Sequence, residues 1–247
     1  MTAGAHDDPV ALTEGIDGWL PEFEGRHLLA LARRCTGRGV IVEIGSWKGR
    51  STIWLALGSR AGAGGRVYAI DPHTGSWEHQ APGTVVATFE DFRRNIARAG
   101  VGDLVVPLVM PSVEAAGGFA EPVELIFIDG AHGYEDVKQD FLAWFPKVVE
   151  GGIMAFHDTT VGWEGPRRVV EEMLFRSPRF RRVGLVGSIT YAEKVAQATA
   201  AERLRNRYAL AVKQAGDAAR GLRLPAGVRR VARRLAEALL DGPRVRG

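Results

Sequence analysis

Two acidic turns carry the plainest chemistry in this sequence. Asp129-Gly130-Ala131-His132 follows the apolar run at 123–128, and His157-Asp158 follows the run at 153–156. Short apolar runs bounded by turns read as buried strands. Both acids therefore stand at strand ends, on the edge where open α/β sheets bind ligands. Two carboxylates held close together repel unless a cation lies between them. A hard divalent ion meets that need, and Mg²⁺ takes one or two carboxylates while leaving positions for water or substrate. Asp129 and Asp158 are thus candidate ligands. His157 has three readings: a ligand of a softer ion such as Mn²⁺, a residue supporting the ligands, or a partner of the substrate, because imidazole suits Mg²⁺ poorly.

The element expected to position a second ligand is residues 40–52, Val-Ile-Val-Glu-Ile-Gly-Ser-Trp-Lys-Gly-Arg-Ser-Thr. Branched apolar residues broken only by Glu43 lead into a glycine turn, and an apolar helical pattern follows at Ile53, Trp54, Leu55 and Leu57. A strand-turn-helix of this kind aims backbone N–H groups above the sheet edge. Gly45 and Gly49 are four apart, so the spacing matches neither G-x-G-x-x-G nor G-x-x-x-x-G-K-[ST]. Glu43 ahead of the turn suits a ligand with an amino group rather than a pyrophosphate. The second strand, 66–70, ends at Asp71, an acid placed to take both hydroxyls of a ribose.

The first of these segments resembles motif I of the class I methyltransferases that use S-adenosylmethionine. Taken together, residues 43–52, Asp71, Ile128-Asp129-Gly130-Ala131-His132 and Phe156-His157-Asp158 resemble the metal-dependent sugar O-methyltransferases, over roughly residues 16–192. That group includes enzymes acting on macrolide sugars and relatives of a cephalosporin-pathway protein. The resemblance implies that S-adenosylmethionine is the cofactor and that Asp129 and Asp158 hold Mg²⁺ or Mn²⁺. It implies His132 as general base. In this reading Glu43 and Gly45 hold the methionine end, Asp71 the ribose, and Ser112 lies near the adenine; Ser46, Gly49, Ser51 and Asp129 are further cofactor-binding residues, and Gly130 and Ala131 allow close approach of the backbone. One departure is His157, where the macrolide-sugar enzymes carry Glu. Tyr134, Trp163 and Glu164 are candidates on the acceptor side, and Trp163 or Trp77 could stack on a sugar face.

The expected fold is α/β and Rossmann-like, the class I methyltransferase fold, with a seven-stranded sheet whose last strand is antiparallel and a C-terminal helical extension. The antiparallel end follows from Gly187-Ser188, a link short enough only for a hairpin between 180–186 and 189–192. Residues 1–35 are expected to be a lead and a helix that packs on the sheet or caps the cleft, 36–195 the catalytic domain, and 196–247 a basic helical extension. Helices are expected over 84–99, with Val85, Phe89, Phe92 and Ile96 inward, and after His132, with Val137, Phe141, Leu142 and Phe145 inward and Gly151-Gly152 as the stop. In the extension, Leu204, Tyr208, Ala211 and Val212 read as one apolar stripe, and Val228, Val231, Leu235 and Leu239 as another beyond Leu224-Pro225.

The chain has 247 residues, 46% apolar and 25% charged, as soluble domains do. No run of about 18 apolar residues suggests a membrane span. Cys35 is the single cysteine, so a cytoplasmic location is expected. The net charge is +3, but from Gln197 on there are twelve Lys/Arg against four Asp/Glu, leaving the first 196 residues five negative. An acidic body argues against nucleic acid as partner. The expected partners are a small-molecule or oligosaccharide substrate and a second copy of the chain, since the amphipathic extension must bury its stripe. Two other readings stand: a phenol or catechol O-methyltransferase, and a non-catalytic nucleotide-binding interaction protein.

Overall fold

Runs of branched apolar residues set the sheet. The computed structural model describes residues 8–76, 78 and 85–221, with side chains as far as 218. The elements in order are α1 Pro9–Thr13, α2 Glu22–Arg33, β1 Val40–Ile44, α3 Arg50–Arg60, β2 Val67–Ile70, α4 Phe89–Arg98, β3 Val105–Leu108, α5 Ser112–Gly118, β4 Val123–Ile128, α6 Tyr134–Trp144, β5 Val148–Phe156, α7 Glu164–Val170, β6 Phe180–Val186, β7 Ile189–Lys194 and α8 Ala200–Gly221. Every residue of β1, β2 and β4 is buried, as strands covered on both faces must be.

The seven strands lie in the order β3-β2-β1-β4-β5-β7-β6. β1 pairs in parallel with β2 on one side and β4 on the other. The order reverses between β1 and β4, and a ligand crevice opens at the carboxyl ends of such a pair. β7 runs antiparallel to both β5 and β6, as the Gly187-Ser188 link requires. This is the class I methyltransferase topology expected from the sequence.

Two compact units divide the chain. One runs to Ala131 and includes Gln139–Val149. The other holds His132–Lys138 and everything from Glu150. In the first unit α2 packs against α3 through two glycines. A Cβ on Gly25 would meet the Trp54 ring at 2.4 Å, and one on Gly58 would meet the Leu29 carbonyl oxygen at 2.4 Å. The helix ahead of β1 is therefore a packing helix on its neighbour.

Several expectations are corrected. One short helix, Pro9–Thr13, was not expected from the sequence; it is capped by the Asp8 carboxylate accepting from the Val10 N–H at 3.1 Å. α4 begins only at Phe89, and Val85 is exposed. Gly151 and Gly152 do not stop a helix but lie inside β5; the stop is the 3-10 turn Phe145–Lys147 containing Pro146. Leu142 is exposed while Trp144 is buried. The largest difference is in α8. Leu204 and Tyr208 face solvent, and the buried face is Asn206, Ala209, Leu210, Lys213 and Asp217. Polar anchors decide that rotation: the Asn206 amide donates to the Phe180 carbonyl at 2.9 Å, and Lys213 Nζ lies 3.7 Å from Glu171 Oε1. Trp77, His79, Leu224-Pro225 and the stripe at Val228, Val231, Leu235 and Leu239 lie outside the described residues.

Candidate active site

The first unit builds a cradle on the loops after β1 and β2. Gly45 and Gly49 both have positive φ, 86° and 87°, a region that favours glycine. Gly45 is also fixed by space, because a Cβ there would lie 2.0 Å from the Asp129 carbonyl oxygen. β1 and β4 can thus approach closely where their loops diverge. Between the glycines Trp47 takes φ 46°. Its N–H donates to Asp71 Oδ2 at 2.7 Å, and the His73 N–H donates to Asp71 Oδ1 at 2.6 Å. Asp71 therefore shapes both loops with its two oxygens and keeps lone pairs for a further donor.

The sequence places His73 only at the start of a polar loop, 73–82, expected to contact cofactor or substrate. Its ring is buried, sits 5.1 Å and 5.3 Å from the rings of Phe89 and Phe92, and contacts Thr88 Oγ1 at 2.8 Å. Burial holds its pKa below the ordinary value, against the pull of Asp71. The spacing Asp71-x-His73 at a strand end was the available signal.

Glu43 lies fully buried at the floor of the cradle. The Thr52 hydroxyl donates to its Oε2. Burial pushes its pKa up to about 8; hydrogen bonds from Ser51 and Thr52 oppose the rise, and the nearby Asp129 and Asp71 add to it. Among the described residues Glu43 Oε1, Ser46 Oγ and His73 Nε2 are buried with no hydrogen-bond partner. Buried polar atoms are seldom left so. Three of them around one glycine loop fit a ligand that brings its own ammonium, carboxylate and hydroxyls. Gly130 and Ala131, half-buried, border the same loop. A Cβ on Gly130 would meet the Ile44 side chain at 3.4 Å. Ser112 accepts from the indole of buried Trp144 at 2.8 Å, which ties α5 to the end of α6.

The N-terminal hook is strapped to this loop. Arg50 donates to the carbonyls of Ile16 and Gly18, each at 3.2 Å, and Lys48 pairs with Asp17 at 3.2 Å. The strap brings the Trp19 ring to 5.9 Å from Trp47.

The second unit holds His132, His157 and Asp158. Asp158 has φ 53°, a strained value for a non-glycine residue. It is fixed by its neighbour: the Thr159 N–H and hydroxyl both donate to the Ser188 carbonyl, at 3.0 and 2.7 Å. His132 Nε2 and His157 Nδ1 each lie 3.1 Å from Asp158 Oδ2. Burial works against the charge of Asp158, but hydrogen bonds from the two imidazoles hold its carboxyl well below the usual range. His157 is buried, so its ring orients the carboxylate from within the protein. His132 is half-buried and stacks on Trp163, with centroids 4.0 Å apart and planes 21° apart. Gly165 permits this packing: a Cβ there would lie 2.1 Å from the His132 carbonyl oxygen. Nothing in the sequence flagged Gly165, because the approach it allows is between segments distant along the chain.

At 3.1 Å, His132 Nε2 and Asp158 Oδ2 must share a proton or a cation. Asp129, His132 and Asp158 are each half-buried, and each offers one ligand atom of a type that divalent ions accept. No helix among the described residues is long and apolar enough to cross a membrane.

The strand order and the glycine loop together are those of the class I methyltransferase fold. Residues 42–159 match the family model described as "Methyltransferase domain". A catechol O-methyltransferase of Mycobacterium tuberculosis is 33% identical over 167 residues, which is 63% of this chain and 66% of the relative. The match thus spans just under two thirds of that protein. Among solved structures, the O-methyltransferase TomG of Streptomyces achromogenes, involved in tomaymycin synthesis and bound to S-adenosylmethionine, superposes with TM-score 0.54 at 22% identity, covering 77% of this chain and 88% of TomG. The O-methyltransferase NovP superposes with TM-score 0.58 at 18% identity, covering 76% and 88%. Over residues 42–159, just under half of the chain, the sequence is thus similar to methyltransferase domains, and the proteins it resembles include O-methyltransferases.

Proposed function

We propose that this protein methylates a hydroxyl of a sugar or glycan with S-adenosylmethionine, using a divalent cation and His132. The observation that carries the reading is the His132–Asp158 pair. A half-buried imidazole is held against a charged carboxylate and covered by the Trp163 indole. In this reading Glu43, Gly45, Ser46, Gly49 and Ser51 bind the methionine end, Asp71 the ribose and Ser112 the adenine side. The Trp47 N–H bond to Asp71 keeps the two loops in register. The sulfonium supplies an electrophilic methyl group, so the protein must supply alignment and proton removal.

A sugar hydroxyl is a weak nucleophile at neutral pH. His132, its Nε2–H held by the Asp158 carboxylate, takes the hydroxyl proton on Nδ1 as the oxygen bonds to the methyl carbon, and the sulfur keeps the electron pair of the broken bond. The Asp158 carboxylate then steadies the imidazolium. His157 and Thr159 hold Asp158 in its strained conformation. Asp129 and Asp158 would hold Mg²⁺ or Mn²⁺, which would lower the pKa of the acceptor hydroxyl. His157 serves as the support of Asp158.

The M. tuberculosis relative favours a second reading, a phenol or catechol acceptor. The same residues would serve it. The test is transfer of labelled methyl to paired panels of sugars and catechols, with Mg²⁺ and with EDTA. Transfer to sugars that EDTA abolishes supports the first reading, and transfer to catechols alone replaces it by the second. We include in the proposal a homodimer across the exposed Leu204–Tyr208 face of α8. Sedimentation should give twice the chain mass, and a monomer at micromolar concentration would refute it.

A further inference from the structure

α7 and α8 enclose a groove of about 420 Å³ that the reaction does not use. Its walls include Glu164, Arg167, Arg168, Glu171, Gln214 and Asp217. We propose that this groove binds a second sugar ring of the acceptor, so that the substrate is an oligosaccharide methylated on one ring and gripped by another. The inference rests on the sugar reading above and narrows it.

The lining selects the occupant. Sites for apolar ligands are mostly apolar with a few polar groups; here five charged side chains and an amide line the groove beside only Val161 and Ala218. An apolar ring would strip water from two guanidinium groups and three carboxylates and return no hydrogen bonds. An anion would meet Glu164, Glu171 and Asp217. A cation would meet Arg167 and Arg168. A neutral ring carrying several hydroxyls satisfies both sets, since each hydroxyl donates to a carboxylate and accepts from a guanidinium or an amide.

The walls are held in place before any ligand arrives. Lys213, buried on α8, bonds Asp217 Oδ2 at 2.8 Å and lies 3.7 Å from Glu171. The Gln214 amide donates to Glu171 Oε2 at 2.9 Å. Arg168 donates to Glu172 at 2.8 Å and lies 4.2 Å over the Tyr134 ring. The Arg167 N–H donates to the Trp163 carbonyl, but among the described residues its guanidinium makes no ion pair or hydrogen bond, so those donors remain for a ligand. Glu171 also opens the π-helical turn Glu171–Phe175. Such turns recur at functional sites, and this one widens the helix where the groove lies.

The groove also adjoins the reacting groups of its own unit. Glu164, Arg167, Arg168 and Glu171 follow helical spacing and share one face. Immediately before them Trp163 stacks on His132. Gly165 lies against the His132 carbonyl, and the Tyr134 hydroxyl donates to Glu172 at 2.7 Å. An acceptor with its reacting hydroxyl at His132 would pass the Trp163 indole and place its next ring among the charged side chains.

The experiment is a glycan array probed with the labelled full-length protein in S-adenosylhomocysteine, beside Arg167→Gln and Arg168→Gln. Methyl transfer to cellobiose, maltose, mannobiose and their parent hexoses is measured in parallel. Expected are retention on glycans of two or more residues and a disaccharide kcat/KM about tenfold or more above that of the parent hexose. Each variant should remove that preference through KM, with S-adenosylmethionine affinity and hexose kcat unchanged. Hexoses methylated as well as disaccharides, or variants that keep the preference, overturn the groove and leave the sugar reading standing. A blank array with transfer only to catechols overturns both.

Discussion

Glu43 gives the most quantitative expectation. Its pKa rises from the ordinary 4.5 to about 8 because the fold buries it completely. The unfolded chain therefore loses this proton first. Between the two values the native state binds more protons, so stability falls as pH rises. The limiting slope is about 1.4 kcal/mol per pH unit for one group. From pH 5.5 to 7.5 the expected loss assignable to Glu43 is about 2–3 kcal/mol. Below pH 4.5 the penalty is absent, and above about 8 it is constant. Glu43→Gln keeps the shape and removes the titration. Other groups titrate equally in both proteins and cancel in the difference. Urea denaturation in EDTA at pH 5.5, 6.5 and 7.5 should show the variant gaining on the wild type at each step. Parallel stability curves would refute the reasoning. The same group reports on the ligand. If the ammonium of S-adenosylmethionine meets Glu43, binding at pH 7 draws off about 0.9 proton, read by calorimetry in buffers of different ionisation heat. Glu43→Gln should release none.

Gly45→Ala places a Cβ 2.0 Å from the Asp129 carbonyl oxygen at φ 86°. The left-handed strain alone costs about 1–2 kcal/mol, and the backbone clash adds to it. A fall in Tm of about 6 °C or more is expected, and an unchanged Tm would mean that the two loops do not approach so closely. Gly165→Ala should push the Trp163 turn off His132, lowering kcat about tenfold or more while S-adenosylmethionine affinity holds. Equal losses in both would point to general unfolding instead.

The sheet was legible because its signals are local. Four branched apolar residues and a glycine turn are enough to read β1 and its loop, and a two-residue link is enough to read the antiparallel end. Asp71, Asp129 and Asp158 were legible for the same reason, each standing at the close of an apolar run. What the sequence hid depends on partners far along the chain. Glycine at 165 looks like any helix-start residue until the His132 carbonyl is seen against it. His73 reads as loop until Phe89 and Phe92 enclose it. The rotation of α8 was misread because apolar side chains were assumed to point inward. Asn206 and Lys213 make bonds that an outward position would lose, and Leu204 and Tyr208 turn outward to permit them. Apolar periodicity misleads where buried polar pairs fix a helix.

The account stands most directly on His132. The decisive measurement is single-turnover transfer of labelled methyl from S-adenosylmethionine to an accepted sugar in the presence of Mg²⁺, comparing wild type with His132→Ala. The account predicts a loss of about 10²–10⁴-fold in the transfer rate with unchanged S-adenosylmethionine affinity. Transfer at the wild-type rate would contradict it.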